Sequence, residues 1–94
     1  MTAKLSLTSC VRVNDDVLFQ ELQGEAVLLN LKTGVYFGLD AVGTHVRKLI
    51  SQNQALSEVR KLLLQEYDVS EEQCSEDLLD LVAAMREQAL VTVT

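Results

Sequence analysis

Side chains able to do chemistry are few in this chain, and they are scattered. His45 is the sole histidine. A general base needs a nucleophile and an orienting acid within reach, and the sequence around His45 supplies no such pair. One histidine also excludes ligation by histidine spacing. Cys10 and Cys74 stand alone, with no CxxC and no other ligand at a finger-like distance. Gly34, Gly38 and Gly43 match neither GxGxxG nor a P-loop, so no phosphate cradle is indicated. Glu71, Glu72, Glu76, Asp77, Asp80 and Glu87 are too many and too spread for a catalytic pair, and read as a solvated helix face. The chemistry on offer is that of a binding surface. No catalytic residue, cofactor or metal is expected, and a non-enzymatic role is favoured.

Composition narrows the class further. Ninety-four residues make one domain spanning 1–94. Hydrophobic residues at 48% and charged ones at 23% are ordinary for a soluble globular domain. Two Tyr, two Phe and no Trp leave an aliphatic core. The formal charge of −6 disfavours attraction to nucleic-acid phosphates or anionic membranes. No apolar run approaches the roughly 18 residues of a membrane span, and MTAKLSLTSC lacks the apolar core of a secretory signal. A cytoplasmic protein with two reduced thiols is the expectation.

The elements that must position a binding surface centre on Glu25–Leu39, EAVLLNLKTGVYFGL. Ala26–Leu31 and Val35–Phe37 read as strands around Lys32-Thr33-Gly34, with Gly34 where a tight loop often needs positive φ. Val27, Leu29 and Leu31 alternate with Ala26 and Leu28, and Val35 and Phe37 oppose Tyr36. A hairpin solvated on one side should show polar residues at every second position. This one does not, so both faces are expected to be covered, one by helices of the chain and the other by a partner. Upstream, residues 1–13 alternate weakly and read as an extended arm or a short edge strand. Asn14-Asp15-Asp16 is a turn. Val17–Leu22 is a first strand and Gln23-Gly24 the turn out of it, giving a three-stranded antiparallel meander.

Downstream the period changes from 2 to 3.6. Asp40 caps a helix with Val42, Val46, Leu49 and Ile50 on one stripe, broken at Ser51-Gln52-Asn53-Gln54. Ser57 caps a second, burying Val59, Leu62, Leu63 and Tyr67. Ser70 opens a third: Ser70 and Gln73 fit a capping box, and Glu71-Glu72 suit the helix dipole. Cys74, Leu78, Leu81, Val82 and Met85 form its apolar stripe, which fades near Gln88. The tail Val91–Thr94 frays or adds a short strand. The order β-β-β-α-α-α is an α+β fold, winged helix-turn-helix-like. That fold raises DNA binding as a reading. Yet the third helix, Ser70–Gln88, carries six acidic residues against Arg86, net −5, and a duplex would repel it. A DNA-binding regulator is the weaker alternative.

A peptide-binding module fits better. The third strand is the last of the meander, hence an edge with unpaired N–H and C=O groups that an extended peptide can join. Leu78, Val82 and Met85 of the third helix would wall a groove beside it, with carboxylates and Arg86 as a polar rim. The same spacing is also that of plain core packing, and it leaves open which helix residues face the groove. A monomer is expected, although an open edge permits a dimer.

The run VLLNLKTGVYFGLDAVGTHVRKLI resembles the segment typical of PqqD-like domains, also known as RiPP recognition elements: an apolar strand, a TG turn, an aromatic strand, then LN or LD leading into a helix. A Leu-rich second helix ending in EYDVS, Asp77-Leu78, and a third helix closing with Ala89-Leu90-Val91 extend the likeness over about residues 16–93. The resemblance implies a non-catalytic protein that binds the leader of a ribosomally made precursor peptide and presents it to tailoring enzymes. It implies that the leader adds as a strand along Val35, Tyr36, Phe37 and Gly38. Leu78, Leu81, Val82 and Met85 would then line the helix side, with Asp77 and Arg86 as polar contacts. The VYFGLD strand end is similar to stand-alone domains of lasso-peptide systems, where a leader peptidase and a cyclase act on the bound precursor. Pyrroloquinoline quinone biosynthesis is the alternative pathway.

Overall fold

The computed structural model describes residues 5–53 and 55–94; residues 1–4 of the expected arm, and Gln54 of the expected helix break, lie outside it. The elements are β1 (Val11–Val13), β2 (Val17–Leu22), β3 (Glu25–Asn30), β4 (Tyr36–Leu39), α1 (Ala41–Asn53), α2 (Leu56–Glu66), α3 (Glu71–Glu87) and β5 (Val91–Val93). β2, β3 and β4 form an antiparallel sheet in that order, so β2 and β4 are its edges. The meander and the three helices follow the order that hydrophobic periodicity predicts. β1 and β5 pair with each other in a second sheet, with Val11 opposite Val93 and Val13 opposite Val91. The weakly alternating segment near the start and the β-prone tail are thus each other's partners.

Register separates the two faces of the larger sheet. Phe19 faces Leu28, which faces Phe37, and Ala26 faces Leu39. This inner face meets α1, where Ala26, Leu28 and Leu39 are buried with Val46, Leu49 and Ile50. The Arg47 guanidinium lies 3.9 Å from the Phe19 ring centroid, and Lys48 Nζ lies 3.1 Å from Glu21; together they fasten α1 over β2. On the other face Leu18 stands opposite Leu29, which stands opposite Tyr36, and Val27 stands opposite Gly38. Leu18, Val27 and Tyr36 are exposed, as are Leu22 and Leu31 at the strand ends. Among the described residues, then, helices cover one apolar face and leave the other open.

Local chemistry sets the helix ends. Asp40 Oδ1 accepts the Gly43 N–H at 2.8 Å and caps α1. That helix continues into the expected break as far as Asn53, because Ser51 Oγ donates back to the Lys48 carbonyl at 2.9 Å and is satisfied inside the helix. α2 begins at Leu56 rather than after Ser57. Its cap, Ala55, has no side-chain hydrogen bond, and the Ser9 carbonyl accepts the Leu56 N–H at 3.1 Å instead. Burial of Leu56 in the core rewards that earlier start. Ser70 Oγ accepts the Gln73 N–H at 3.1 Å as expected. The Gln73 amide reaches forward to Asp77 at 2.9 Å, however, and not back to Ser70. α3 ends in a Schellman motif: Leu90 N–H donates to the Met85 carbonyl at 2.9 Å and Ala89 N–H to that of Arg86 at 3.0 Å.

Candidate functional site

Among the described residues β4 is paired on one side only. The Asn30 N–H donates to the Val35 carbonyl at 3.0 Å, and this bond fixes the phase of the ladder. Hydrogen-bonded pairs in an antiparallel ladder recur at every second residue, so Phe37 and Leu39 turn their backbone groups to Leu28 and Ala26. Tyr36 and Gly38 therefore turn theirs to the open edge. Val35 lies in the loop before the strand, a correction to the sequence reading, and Leu39 extends the strand instead. The loop is organised by Asn30: its carbonyl accepts the Gly34 N–H at 2.7 Å, and its Oδ1 accepts the Lys32 N–H at 2.9 Å. Gly34 takes φ +76, as a residue without Cβ does readily.

Beside that edge runs an open cleft of ≈ 580 Å³. β4 lends it Phe37 and Gly38, the start of α1 lends Asp40 and Val42, and α3 lends Asp77 and Leu81. Val42 belongs to the helix stripe by periodicity, yet it is 46% exposed because it faces this cleft. Gly43 allows the close approach of α1 to β4; a Cβ there would stand 3.1 Å from Leu39 Cδ2. Past Val42, Asp77 and Leu81 the cleft continues into an apolar cavity of ≈ 100 Å³, walled by Val46, Leu63, Tyr67, Cys74 and Leu78. Tyr67 Oη lies 3.2 Å from His45 Nδ1. His45 thus holds the Tyr67 ring, which walls the cavity.

Phe37, Gly38, Asp77 and Leu81, among the residues singled out from sequence, border the cleft, and Leu78 walls the cavity. Val82 and Met85 instead belong to the core, at 0% and 1% exposure. The helical period accounts for Leu81 alone, and packing separates Leu78 from Val82. Val82 and Met85 follow Leu78 at i+4 and i+7, on the core face, whereas Leu81 sits one residue off that stripe. Arg86 is half-buried in the last turn of α3, more than a turn beyond Leu81. Tyr36 contributes backbone to the edge while its side chain, 72% exposed, stands on the outer sheet face. Periodicity puts Val42 and Tyr67 on buried stripes, and by sequence Asp40 reads only as a cap. The signal that places Asp40 at the cleft is its position directly after the edge strand.

The ionised groups that line the site are carboxylates, although Arg60 of α2 is close enough to act on Cys74 in the cavity wall. Asp40 and Asp77 both line the cleft, and among the described residues no lysine, arginine or histidine lines it or the cavity behind. Cys74 in the cavity wall is a buried free thiol, and Cys10 is exposed and free. Burial pushes the Cys74 thiol above its ordinary range; Arg60 opposes that shift and Asp77 adds to it. Among the described residues no three His, Cys, Asp or Glu side chains gather as a metal site requires. Nor is any helix long and apolar enough to cross a membrane.

Among curated proteins none matches this sequence. Two solved structures are similar over most of their length. One is TbiB1 in complex with the TbiA(beta) leader peptide, 34% identical, covering 85% of this chain and 93% of that one, with a TM-score of 0.81. The other is a lasso peptide synthetase B1 complexed with its leader peptide, with 86% and 95% covered and a TM-score of 0.78. At 20% identity the second speaks for the fold alone. Residues 25–91, from the first residue of β3 to the first of β5, match the family model for coenzyme PQQ synthesis protein D (PqqD), and the chain belongs to that family.

Proposed function

We propose that this protein binds the leader segment of a ribosomally made precursor peptide by strand addition, and presents it to processing enzymes of a lasso-peptide pathway. One observation carries the reading: the free backbone edge of β4 borders an apolar cleft that ends in a cavity the size of a single side chain. An extended peptide pairing with Tyr36 and Gly38 directs alternate side chains toward Leu81 and Val42, and one of them anchors in the cavity. The similarity to TbiB1, which is in complex with a leader peptide, supports a leader peptide as the ligand here. The protein acts as a template and not as a catalyst. It orders a flexible segment, and the cost of that ordering lowers the net affinity.

The processing enzyme is assigned to the outer sheet face. Leu18, Val27, Leu29 and Tyr36 form an apolar patch on the opposite side of the sheet from α1, and contiguous patches of this kind mark protein contacts. A bound leader strand would widen the same face. Fluorescence anisotropy with labelled TbiA(beta) leader, a pyrroloquinoline-quinone-type precursor leader and random duplex DNA tests the reading. The expected result is a micromolar or tighter Kd for the first alone, on the order of −8 kcal/mol. Preference for the second probe would move the protein to the quinone pathway. Binding of DNA alone would overturn leader recognition.

A further inference from the structure

We infer that the cleft selects its peptide by charge as well as shape: the bound segment carries a lysine or arginine, held between Asp40 of the β4–α1 junction and Asp77 of α3. This inference rests on the peptide-binding reading and narrows it, from any extended apolar segment to one in which a basic residue accompanies the apolar anchors.

The two carboxylates come from different elements and meet at the same apolar cleft. Each is half-engaged. Asp40 Oδ1 takes the Gly43 N–H at 2.8 Å, and Asp77 Oδ1 takes Gln73 Nε2 at 2.9 Å. Neither donor is a cation. Two ion pairs among the described residues, Lys32–Asp16 and Lys48–Glu21, lie elsewhere. A field of one sign along apolar walls attracts a complementary ligand and speeds its encounter. It also rejects an acidic segment with the same apolar pattern, which is specificity by repulsion. The surroundings reinforce it, since α3 also carries Glu76 and Asp80 and the whole chain is at −6. A basic side chain would find one carboxylate on each lip of the cleft while its alkyl stem lies along Val42 and Leu81.

The experiment uses the TbiA(beta) leader as scaffold. Each of its non-apolar positions is replaced in turn by Lys, Gln or Glu, and Kd is measured at about 20 mM and about 500 mM salt. At one position, or two neighbouring ones, the Lys peptide is expected to bind about fivefold more tightly than the Glu peptide at low salt. The difference should shrink at high salt and disappear in the Asp40→Asn, Asp77→Asn double variant. Asparagine preserves both the helix cap and the acceptor for Gln73, so an unchanged Tm is expected. The single Asp77→Asn variant, on the solvent side of α3, gives a second reading should the double variant fold poorly. Equal affinities for Lys, Gln and Glu at every position would overturn the inference and leave leader binding standing. So would a preference that survives in the Asn variants. Binding by no peptide, charged or neutral, would overturn both.

Discussion

Asn30 and Ala89, 59 residues apart, are joined directly: Asn30 Nδ2 donates to the Ala89 carbonyl at 3.1 Å. The same amide reaches the Gln88 carbonyl, also at 3.1 Å, while Oδ1 holds the backbone of Lys32 and Thr33. Asn30 is only 2% exposed. One side chain therefore ties the loop that starts β4 to the end of α3, and the two walls of the cleft are held in register by it. Asn30→Leu removes four part-buried hydrogen bonds and is expected to cost about 2 kcal/mol or more. Thermal unfolding should show Tm lower by roughly 10 °C, with weaker leader binding in the fraction still folded. A Tm near that of the parent protein would show that water replaces these bonds.

Ala89 offers a test with the opposite sign. It is exposed and sits at φ +57, in the left-handed region, just past the end of α3. That conformation costs a residue with Cβ about 1–2 kcal/mol, and glycine is the usual occupant of such a site. Ala89→Gly is expected to stabilise by about 0.5–1 kcal/mol after the entropy of glycine is counted. Chemical denaturation should show a higher midpoint at an unchanged slope.

Neighbouring residues of α3 separate binding from folding. Leu81 borders the cleft and the cavity, whereas Val82 is wholly buried in the core. Leu81→Ala is expected to weaken leader binding about tenfold with little change in Tm. Val82→Ala should destabilise by about 2 kcal/mol through the cavity it leaves, with Kd nearly unchanged in the folded protein. Isothermal titration and calorimetric unfolding of both variants check the pair. The reverse pattern would move the peptide to another surface.

Cys74 reports on the cavity. Its burial holds the thiol pKa above the ordinary value, so the native protein keeps this proton where the unfolded chain has lost it. The group's contribution to stability is full below the unfolded value, about pH 8.5. It is lost as pH rises through the higher native value. A Cys74→Ser variant should therefore lose less stability than the parent between neutral and strongly alkaline pH. At pH 8 a thiol reagent should label exposed Cys10 fast and Cys74 slowly, and a bound leader should slow Cys74 further. Equal rates with and without leader would place the anchor outside the cavity.

Local pattern and tertiary context divided the legibility of this fold. The strand Val17–Leu22, the strand expected over Ala26–Leu31 and found one residue earlier at Glu25–Asn30, and the Asp40 and Ser70 caps were readable because turn residues and caps act within a few positions. The pairing of Val11–Val13 with Val91–Val93 was not, since register between distant three-residue strands leaves no local signal. The start of α2 was displaced by the Ser9 carbonyl, a partner from another part of the chain. Within the candidate site, the edge was legible from strand order. Its helix wall was only half legible: one hydrophobic stripe holds both Leu78 and Val82, and only packing tells which side chain opens to a cleft. Asn30 reads as one more residue of an apolar run, and its bonds to Gln88 and Ala89 form only when the chain folds back.

Amide hydrogen exchange at β4, with and without saturating TbiA(beta) leader, tests the central claim most directly. In the free protein Phe37 and Leu39 should already be slow, through their pairing with Leu28 and Ala26, while Tyr36 and Gly38 exchange fast at the open edge. With leader bound, Tyr36 and Gly38 should slow markedly, because their N–H groups then donate to the added strand. Fast exchange at both residues in a saturated complex would contradict strand addition at β4.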